Sequence, residues 1–174
     1  ASSRTLSLRT KIRQWFGPVT IPAAARKLRA FIQEVQPDIV HAMRIPYEGM
    51  LTAAALDGLV SRPAFLVSSW GNDFTLHAPS TPLMKYYTRK VMHTVAGLHA
   101  DVERDVRLAH EWGLSETKPT LVTPGNGGIR GEVFYPLAEL VKKPIIINPR
   151  GVRPYVRNDI FFKAIPLVLS KYPE

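Results

Sequence analysis

The fold of this chain is decided by residues 21–69, which read IPAAARKLRAFIQEVQPDIVHAMRIPYEGMLTAAALDGLVSRPAFLVSS. Pro22 suits the first turn of a helix. Apolar residues at helical spacing follow it: Leu28, Phe31, Ile32 and Val35. Pro37 ends this helix, because the residue before a proline avoids the α region. A short apolar strand at 38–43 comes next.

The same alternation of helix and strand continues along the chain. After the strand at 38–43, strands are predicted at 63–69, 97–100, 120–123 and 144–148. Helices are predicted at 47–59, from about Thr81, at 101–113 and at 158–171. The helix from Thr81 has Leu83, Tyr87, Val91 and Val95 on one face, Asp101 caps the next helix, and Pro166 kinks the last. Strands that alternate with helices of about 10–15 residues indicate βαβ units. The sequence therefore predicts an α/β fold, a Rossmann-like parallel sheet with flanking helices.

Composition narrows the class of protein. The 174 residues are 45% apolar and 21% charged, which is typical of a globular domain with a sizeable core. Cys is absent, which excludes disulfides, thiolate metal sites and cysteine nucleophiles. No apolar run approaches the roughly 18 residues of a membrane span, and no signal peptide opens the chain. We expect a soluble, cytoplasmic protein.

The formal charge of +9 is concentrated near the start, where no acidic residue precedes Glu34. Such a surface attracts anions: phosphates, nucleic acid, acidic lipid headgroups or nucleotide-sugars. Residues 6–16, LSLRTKIRQWF, mix cations with large apolar side chains. We expect these apolar side chains to pack on the domain; the alternative is a helix that lies on an anionic membrane at the inner face of the cell.

Polar and Gly-rich stretches fall where the predicted strands end, at residues 41–44, 68–73, 123–130 and 148–153. Ligands of parallel sheets bind at this edge. The histidines have no metal-ligand spacing, so no metal site is predicted. Neither a phosphate-binding loop motif nor a G-x-S-x-G elbow is present, which argues against P-loop and serine-hydrolase classes.

Four segments resemble motifs of one family, the GT-B glycosyltransferases of family 4. PDIVH at 37–41 is similar to a strand of the family's acceptor domain, and SWGND at 69–73 to its H-G-T-D or W-G-S-D loop. GGIR at 127–130, with Phe134 and Pro136, resembles the segment that joins the two domains. INPRG at 147–151 resembles the turn that opens the donor domain.

The resemblance implies two facing Rossmann-like domains and retaining transfer of a sugar from a nucleotide-diphosphate sugar to a hydroxyl, with no required cofactor or metal. Residues 1–136 would be part of the acceptor-side domain and residues 137–174 the start of the donor-side domain. The family's opening Gly-rich loop and its E-x7-E segment have no counterpart here. We therefore expect a fragment or truncated form of such an enzyme.

The resemblance also implies site residues. Those that would bind the acceptor are His41, Trp70, Gly71, Asn72, Gly127 and Gly128, and those that would bind the donor phosphates are Arg150, Arg153 and Arg157. Asp73 is the catalytic candidate, since a carboxylate there can accept a hydrogen bond from an acceptor hydroxyl; capping of the next segment is the alternative. Met43 and Arg130 depart from the family pattern, which usually has His and Asp there.

These observations predict a glycosyltransferase acting on an anionic or lipid-linked acceptor, with possible peripheral membrane contact. The alternative is a non-catalytic α/β module that binds anionic ligands. Nucleic-acid binding ranks last, because the sequence has no helix-turn-helix or RNA-binding sheet signature. Exposed sheet edges lead us to expect self-association into a homo-oligomer.

Overall fold

The computed structural model describes residues 3–123, 130–135, 146–148 and 158–173. The chain divides into two compact units, residues 12–128 and residues 1–11 together with 129–174. The whole sheet lies in the first unit, here called the sheet unit. The predicted division between acceptor-side and donor-side domains after residue 136 stays a prediction.

The sheet unit contains four parallel strands in chain order: β1 Ile39–Ala42, β2 Ala64–Ser68, β3 Gly97–Ala100 and β4 Thr120–Val122. Ala42 pairs with Val67, Val67 with Leu98 and Ala100 with Val122, so all four strands end at the same edge. This architecture confirms the predicted α/β fold with a Rossmann-like parallel sheet. We call the edge where the strands end the carboxyl edge.

Helices connect and precede the strands. Their bounds are α1 Ser3–Phe16, α2 Ile21–Val35, α3 Met50–Leu56, α4 Pro82–Thr94, α5 Glu103–Glu111 and α6 Asn158–Lys171. Thr81 caps α4 by accepting a hydrogen bond from the amide of Met84, close to the predicted start of that helix. Pro166 lies inside α6, and the kink there stays a prediction.

The core lies between the sheet and the helices that join its strands. Because β1 to β4 are neighbours in chain order, right-handed crossovers place α3, α4 and α5 on one face. Phe65, Val67 and Leu98 point to that face and are buried. On the opposite face, Ile39 and Leu121 are 57% and 58% exposed.

The predicted apolar face of α2 is only partly correct. Ile32 is buried and Leu28 half-buried, but Phe31 and Val35 are exposed. The buried stripe runs instead through Ile21, Ala25, Leu28 and Ile32, because this helix packs chiefly against α3 and small alanines allow the close approach.

Two predicted helices begin later than expected. Residues 47–49 are not part of α3, since Pro46 and Tyr47 have non-helical backbone angles and regular helix starts at Met50. Asp101 does not cap α5: the capping position is Val102, and no side chain caps that helix. The hydrogen bond from the amide of Asp105 to the carbonyl oxygen of Val102 takes the place of a side-chain cap.

Two further expectations are wrong. Residues 146–148 are in no strand, and Ile146 and Ile147 are largely exposed rather than buried; residues 144 and 145 lie outside the described part. In α1 the apolar side chains do not pack as expected: Leu8, Ile12, Trp15 and Phe16 are between 49% and 67% exposed.

Candidate functional site

The loop after β1 has an unusual backbone at Tyr47. Its φ of 65° and ψ of −61° are rarely adopted by a residue with a side chain, so contacts must hold this residue in place. The Tyr47 hydroxyl donates to the carbonyl oxygen of Arg13 at 2.8 Å, and the Arg13 guanidinium lies 4.4 Å from the ring centre. Gly17 leaves room for this ring, because a Cβ there would lie 2.7 Å from Tyr47 Cε1.

Asp73 joins the loops that follow β1 and β2. Its Oδ2 accepts hydrogen bonds from the amides of Ile45 (2.9 Å) and Trp70 (3.1 Å), and the residue is 1% exposed. Burial raises the pKa of Asp73 to about 6, although the two amide hydrogen bonds and the charge of Arg44 act in the opposite direction. In this structure the carboxylate therefore ties two loops together below the surface.

Arg44 and Trp70 form an exposed feature beside this buried carboxylate. The Arg44 guanidinium lies 6.0 Å from the centre of the Trp70 ring and makes two hydrogen bonds, of 2.9 and 3.0 Å, to the carboxylate of Glu48. The Trp70 side chain remains 52% exposed. A half-exposed indole beside a guanidinium can stack on a sugar ring while the cation attracts an anion.

Arg104 attaches α5 to the same edge. Its guanidinium donates to the Gly71 carbonyl oxygen at 2.8 Å and to Oδ1 of the buried Asp105 at 2.7 and 2.9 Å. The turn at Gly71 and Asn72 is thereby fixed with respect to the sheet. Gly71 itself is exposed, as expected for a residue that could contact a ligand.

His41 lies near the end of β1 and is exposed. Its Nε2 is 2.9 Å from Oγ of Ser68, the last residue of β2. The Ser68 hydroxyl is also 3.0 Å from His99 Nδ1, and His99 Nε2 is 2.6 Å from the Thr123 hydroxyl. Polar side chains therefore line the carboxyl edge across all four strands.

A family model shows what kind of protein carries this site. The model of the glycosyl transferase 4-like domain matches residues 2–125, which is more than half of the chain. The chain belongs to the glycosyltransferase 4-like family. The match confirms the resemblance drawn from residues 37–41 and 69–73. Searches of curated proteins and of solved structures found no match.

The structure brings together part of the site predicted for this glycosyltransferase 4-like chain. His41, Trp70, Gly71, Asn72 and Asp73 all lie at the carboxyl edge. The other predicted residues, Gly127, Gly128, Arg150, Arg153 and Arg157, lie outside the described residues. The roles assigned to all of them stay predictions.

Sequence reasoning placed Arg44, Ser68 and Thr123 in the stretches at the ligand-binding edge but gave them no role in the site, and it missed His99 and Arg104 altogether. The useful signal was strand register: alternate residues of a strand share a face, so polar residues near the ends of neighbouring parallel strands meet there.

In the described ranges, no three His, Asp or Glu side chains are grouped so as to bind a metal ion, and no helix is long and apolar enough to cross a membrane.

Proposed function

We propose that this chain supplies the acceptor side of a glycosyltransferase that moves a sugar, with retention, from a nucleotide-diphosphate sugar to a hydroxyl of an anionic or lipid-linked acceptor. The observation that carries this proposal is the half-exposed Trp70 ring beside Arg44 at the carboxyl edge of a chain from a glycosyltransferase family. Sugar rings stack on exposed aromatic faces, and a guanidinium binds phosphate or carboxylate.

Hydrogen bonds to the backbone at Trp70 and Gly71 support this role because they fix the loop that carries the ring before a ligand arrives. The Trp70 amide is held by Asp73, and the next residue, Gly71, is held by Arg104. A preorganised platform loses little conformational entropy on binding. Asp73 then acts through Trp70, as a residue that positions the platform.

The test is titration calorimetry with soluble sugar phosphates and octyl glycosides, comparing Trp70→Ala with Trp15→Ala. Both tryptophans are more than half exposed, so both substitutions remove a similar surface ring. We expect Trp70→Ala to weaken binding by about tenfold, the effect of losing one stacking contact of about 1–1.5 kcal/mol, and Trp15→Ala to leave it unchanged. Equal effects of the two substitutions would contradict the proposal.

The donor side is proposed from the resemblance alone, with Arg150, Arg153 and Arg157 binding the diphosphate of the sugar nucleotide. Titration with UDP, GDP and their sugar conjugates tests it. We expect Arg150→Ala to abolish binding in the micromolar range, while Arg107→Ala, which removes an exposed arginine from α5, leaves it intact. Absence of heat with every nucleotide would favour the alternative, a non-catalytic module for anionic ligands.

Peripheral contact with the inner face of the membrane is a further part of the proposal, and the exposure of α1 favours it. Arg9, Lys11 and Arg13 share this helix with the exposed Trp15 and Phe16. Such a helix binds anionic bilayers through charge and buried apolar area together. We expect the chain to float with vesicles that contain phosphatidylglycerol and not with vesicles of phosphatidylcholine alone. High salt and the Trp15→Ala substitution should each abolish this flotation. Equal flotation with both kinds of vesicle would contradict the proposal.

A further inference from the structure

Four polar side chains form one hydrogen-bonded row across the carboxyl edge. The row runs from His41 through Ser68 and His99 to Thr123, with distances of 2.9, 3.0 and 2.6 Å between successive polar atoms. One residue comes from each of β1, β2 and β3, and Thr123 follows β4 directly. We call these residues the edge row.

Strand register explains why they meet. Ser68 and His99 are direct partners of β2 and β3. His41 pairs with Leu66, two residues before Ser68, and His99 pairs with Leu121, two residues before Thr123. Residues two apart on a strand share a face, so all four side chains lie on the same face of the sheet.

Within the edge row Ser68 is buried, His99 is half-buried and the two ends are exposed. Ser68 is 4% exposed, whereas His41 and Thr123 are exposed. The Ser68 hydroxyl therefore takes its hydrogen-bond partners from the two histidines. Among the described residues, none makes a hydrogen bond to the remaining ring nitrogen of His41, Nδ1.

The Ser68 hydroxyl is buried, so its single hydrogen must be donated to one of the two histidines; acceptance from both would leave that hydrogen unpaired. Two arrangements of the row then remain when both histidines are neutral. If the His41 Nε2–H donates to Ser68, Ser68 donates to His99 Nδ1 and the His99 Nε2–H donates to Thr123. If every bond is reversed, Thr123 donates to His99, His99 Nδ1–H to Ser68 and Ser68 to His41 Nε2. The tautomers of the two histidines are therefore linked through Ser68.

We propose that Ser68, His99 and Thr123 are positioning residues that hold His41 in its Nε2–H tautomer, so that the Nδ1 lone pair is available to a hydroxyl of the bound acceptor. The choice of this arrangement rests on the proposed function, because the hydroxyl of a bound acceptor donates a hydrogen bond, and only this tautomer leaves a lone pair on His41 Nδ1 to accept it. Thr123, at the open end, accepts from His99 and directs its own hydrogen to water.

The test is ¹⁵N NMR of the full chain with labelled histidine, at a pH about two units above the ordinary histidine value of ~6.5. Ring nitrogens that carry a proton have chemical shifts far from those that carry a lone pair. His41→Gln and His99→Gln assign the signals. We expect both histidines to be Nε2–H only; a His41 proton on Nδ1, or a mixture of tautomers, would overturn the proposal.

Two substitutions separate positioning from mere packing. In Ser68→Ala the His41 signals should move toward the mixture of tautomers seen for a histidine peptide in water. Ser69→Ala is the matched control, because the Ser69 hydroxyl is equally buried but makes no hydrogen bond in the structure. Equal spectra of wild type and Ser68→Ala would contradict the proposal.

Thr123→Val tests the far end without disturbing a buried atom. We expect the His41 signals to change in this variant also, although two strands lie between His41 and Thr123. Unchanged His41 signals would show that His99 and Thr123 do not position His41. The measurement needs no sugar donor or acceptor. An inactive transferase would therefore leave this result intact, and a different tautomer would leave the proposed function standing.

Discussion

The Asp73 carboxylate is buried, and its ionisation must therefore affect the stability of the fold. The residue is 1% exposed, and its pKa is raised from 3.8 to about 6. A raised pKa means that the folded chain holds this proton more tightly than the unfolded chain does. The contribution to stability is fully present below pH 4 and is lost as the pH rises through 6.

We predict that ionisation of Asp73 lowers the unfolding free energy of the wild type by about 2–3 kcal/mol as the pH rises from 4 to 7.5. Asp73→Asn keeps an oxygen that can accept from the amides of Ile45 and Trp70 but cannot ionise, so this pH dependence should disappear. Urea denaturation of both proteins at the two pH values measures the difference.

Asp57→Asn is the control of opposite sign. Asp57 is exposed and its pKa is lowered by the hydrogen bond and charge of Lys90, at 2.6 Å. Its contribution is present above the unfolded pKa and is lost in acid, so Asp57→Asn should destabilise the chain only above pH 4. Parallel pH profiles for wild type and Asp73→Asn would show that the Asp73 carboxylate is not buried as described.

At the scale of single residues, the sequence predicted where the functional residues lie in the fold but not what their side chains contact. His41, Trp70 and Asp73 could be placed at a strand end from residue order alone. The edge row could not, because its bonds depend on the register between neighbouring strands, which residue order within each strand does not determine. The burial of Asp73 depends likewise on the conformation of the β1 loop.

At the scale of elements, Arg29 connects α2 to the end of α3. Its guanidinium donates to the carbonyl oxygens of Ala54, Ala55 and Asp57, where the last turn of α3 lacks intrahelical partners. A cation near the C-terminus of a helix is also favoured by the helix dipole. One side chain thus satisfies several backbone groups of a short helix.

We predict that Arg29→Ala lowers the unfolding free energy by about 1.5–3 kcal/mol, because hydrogen bonds from a charged donor are lost and half-buried carbonyl groups remain unpaired. Arg26→Ala, on the exposed side of the same helix, should change it by less than about 0.5 kcal/mol. Chemical denaturation measures both. Similar losses in the two variants would mean that Arg29 acts through charge alone.

Element positions were predicted well and element ends less well. Periodicity located α2, α4 and the four strands of the sheet, since these depend on local apolar patterns. The start of α3 was missed because Tyr47, an ordinary residue by propensity, adopts a rare backbone conformation that contacts with Arg13 maintain. The exposed side of α2 was missed because its packing partner is another helix.

At the scale of the whole molecule, the chain leaves apolar surface open along one side of the sheet. β1 stands at one end of the strand order, and Ile39 there is exposed, as are Phe31 and Val35 of α2. An edge strand with exposed apolar side chains can pair with another chain. Self-association therefore stays our expectation for this chain.

We predict that Ile39→Lys lowers the mass measured by light scattering at micromolar concentration, because a charge on an edge strand opposes pairing. Val60→Lys makes the same change at a fully exposed residue away from the strands and should leave the mass unchanged. A wild-type chain that is already a monomer under these conditions would contradict the expectation.

The order of the strands in the sheet has a consequence for how the chain folds. Each strand after β1 pairs with the strand that precedes it in the sequence, so none of them requires a distant segment before it has a neighbour. Contacts between segments close in sequence cost less loop entropy and form faster. During synthesis, this sheet can therefore grow one strand at a time, from β1 to β4, in the order in which the ribosome releases the chain.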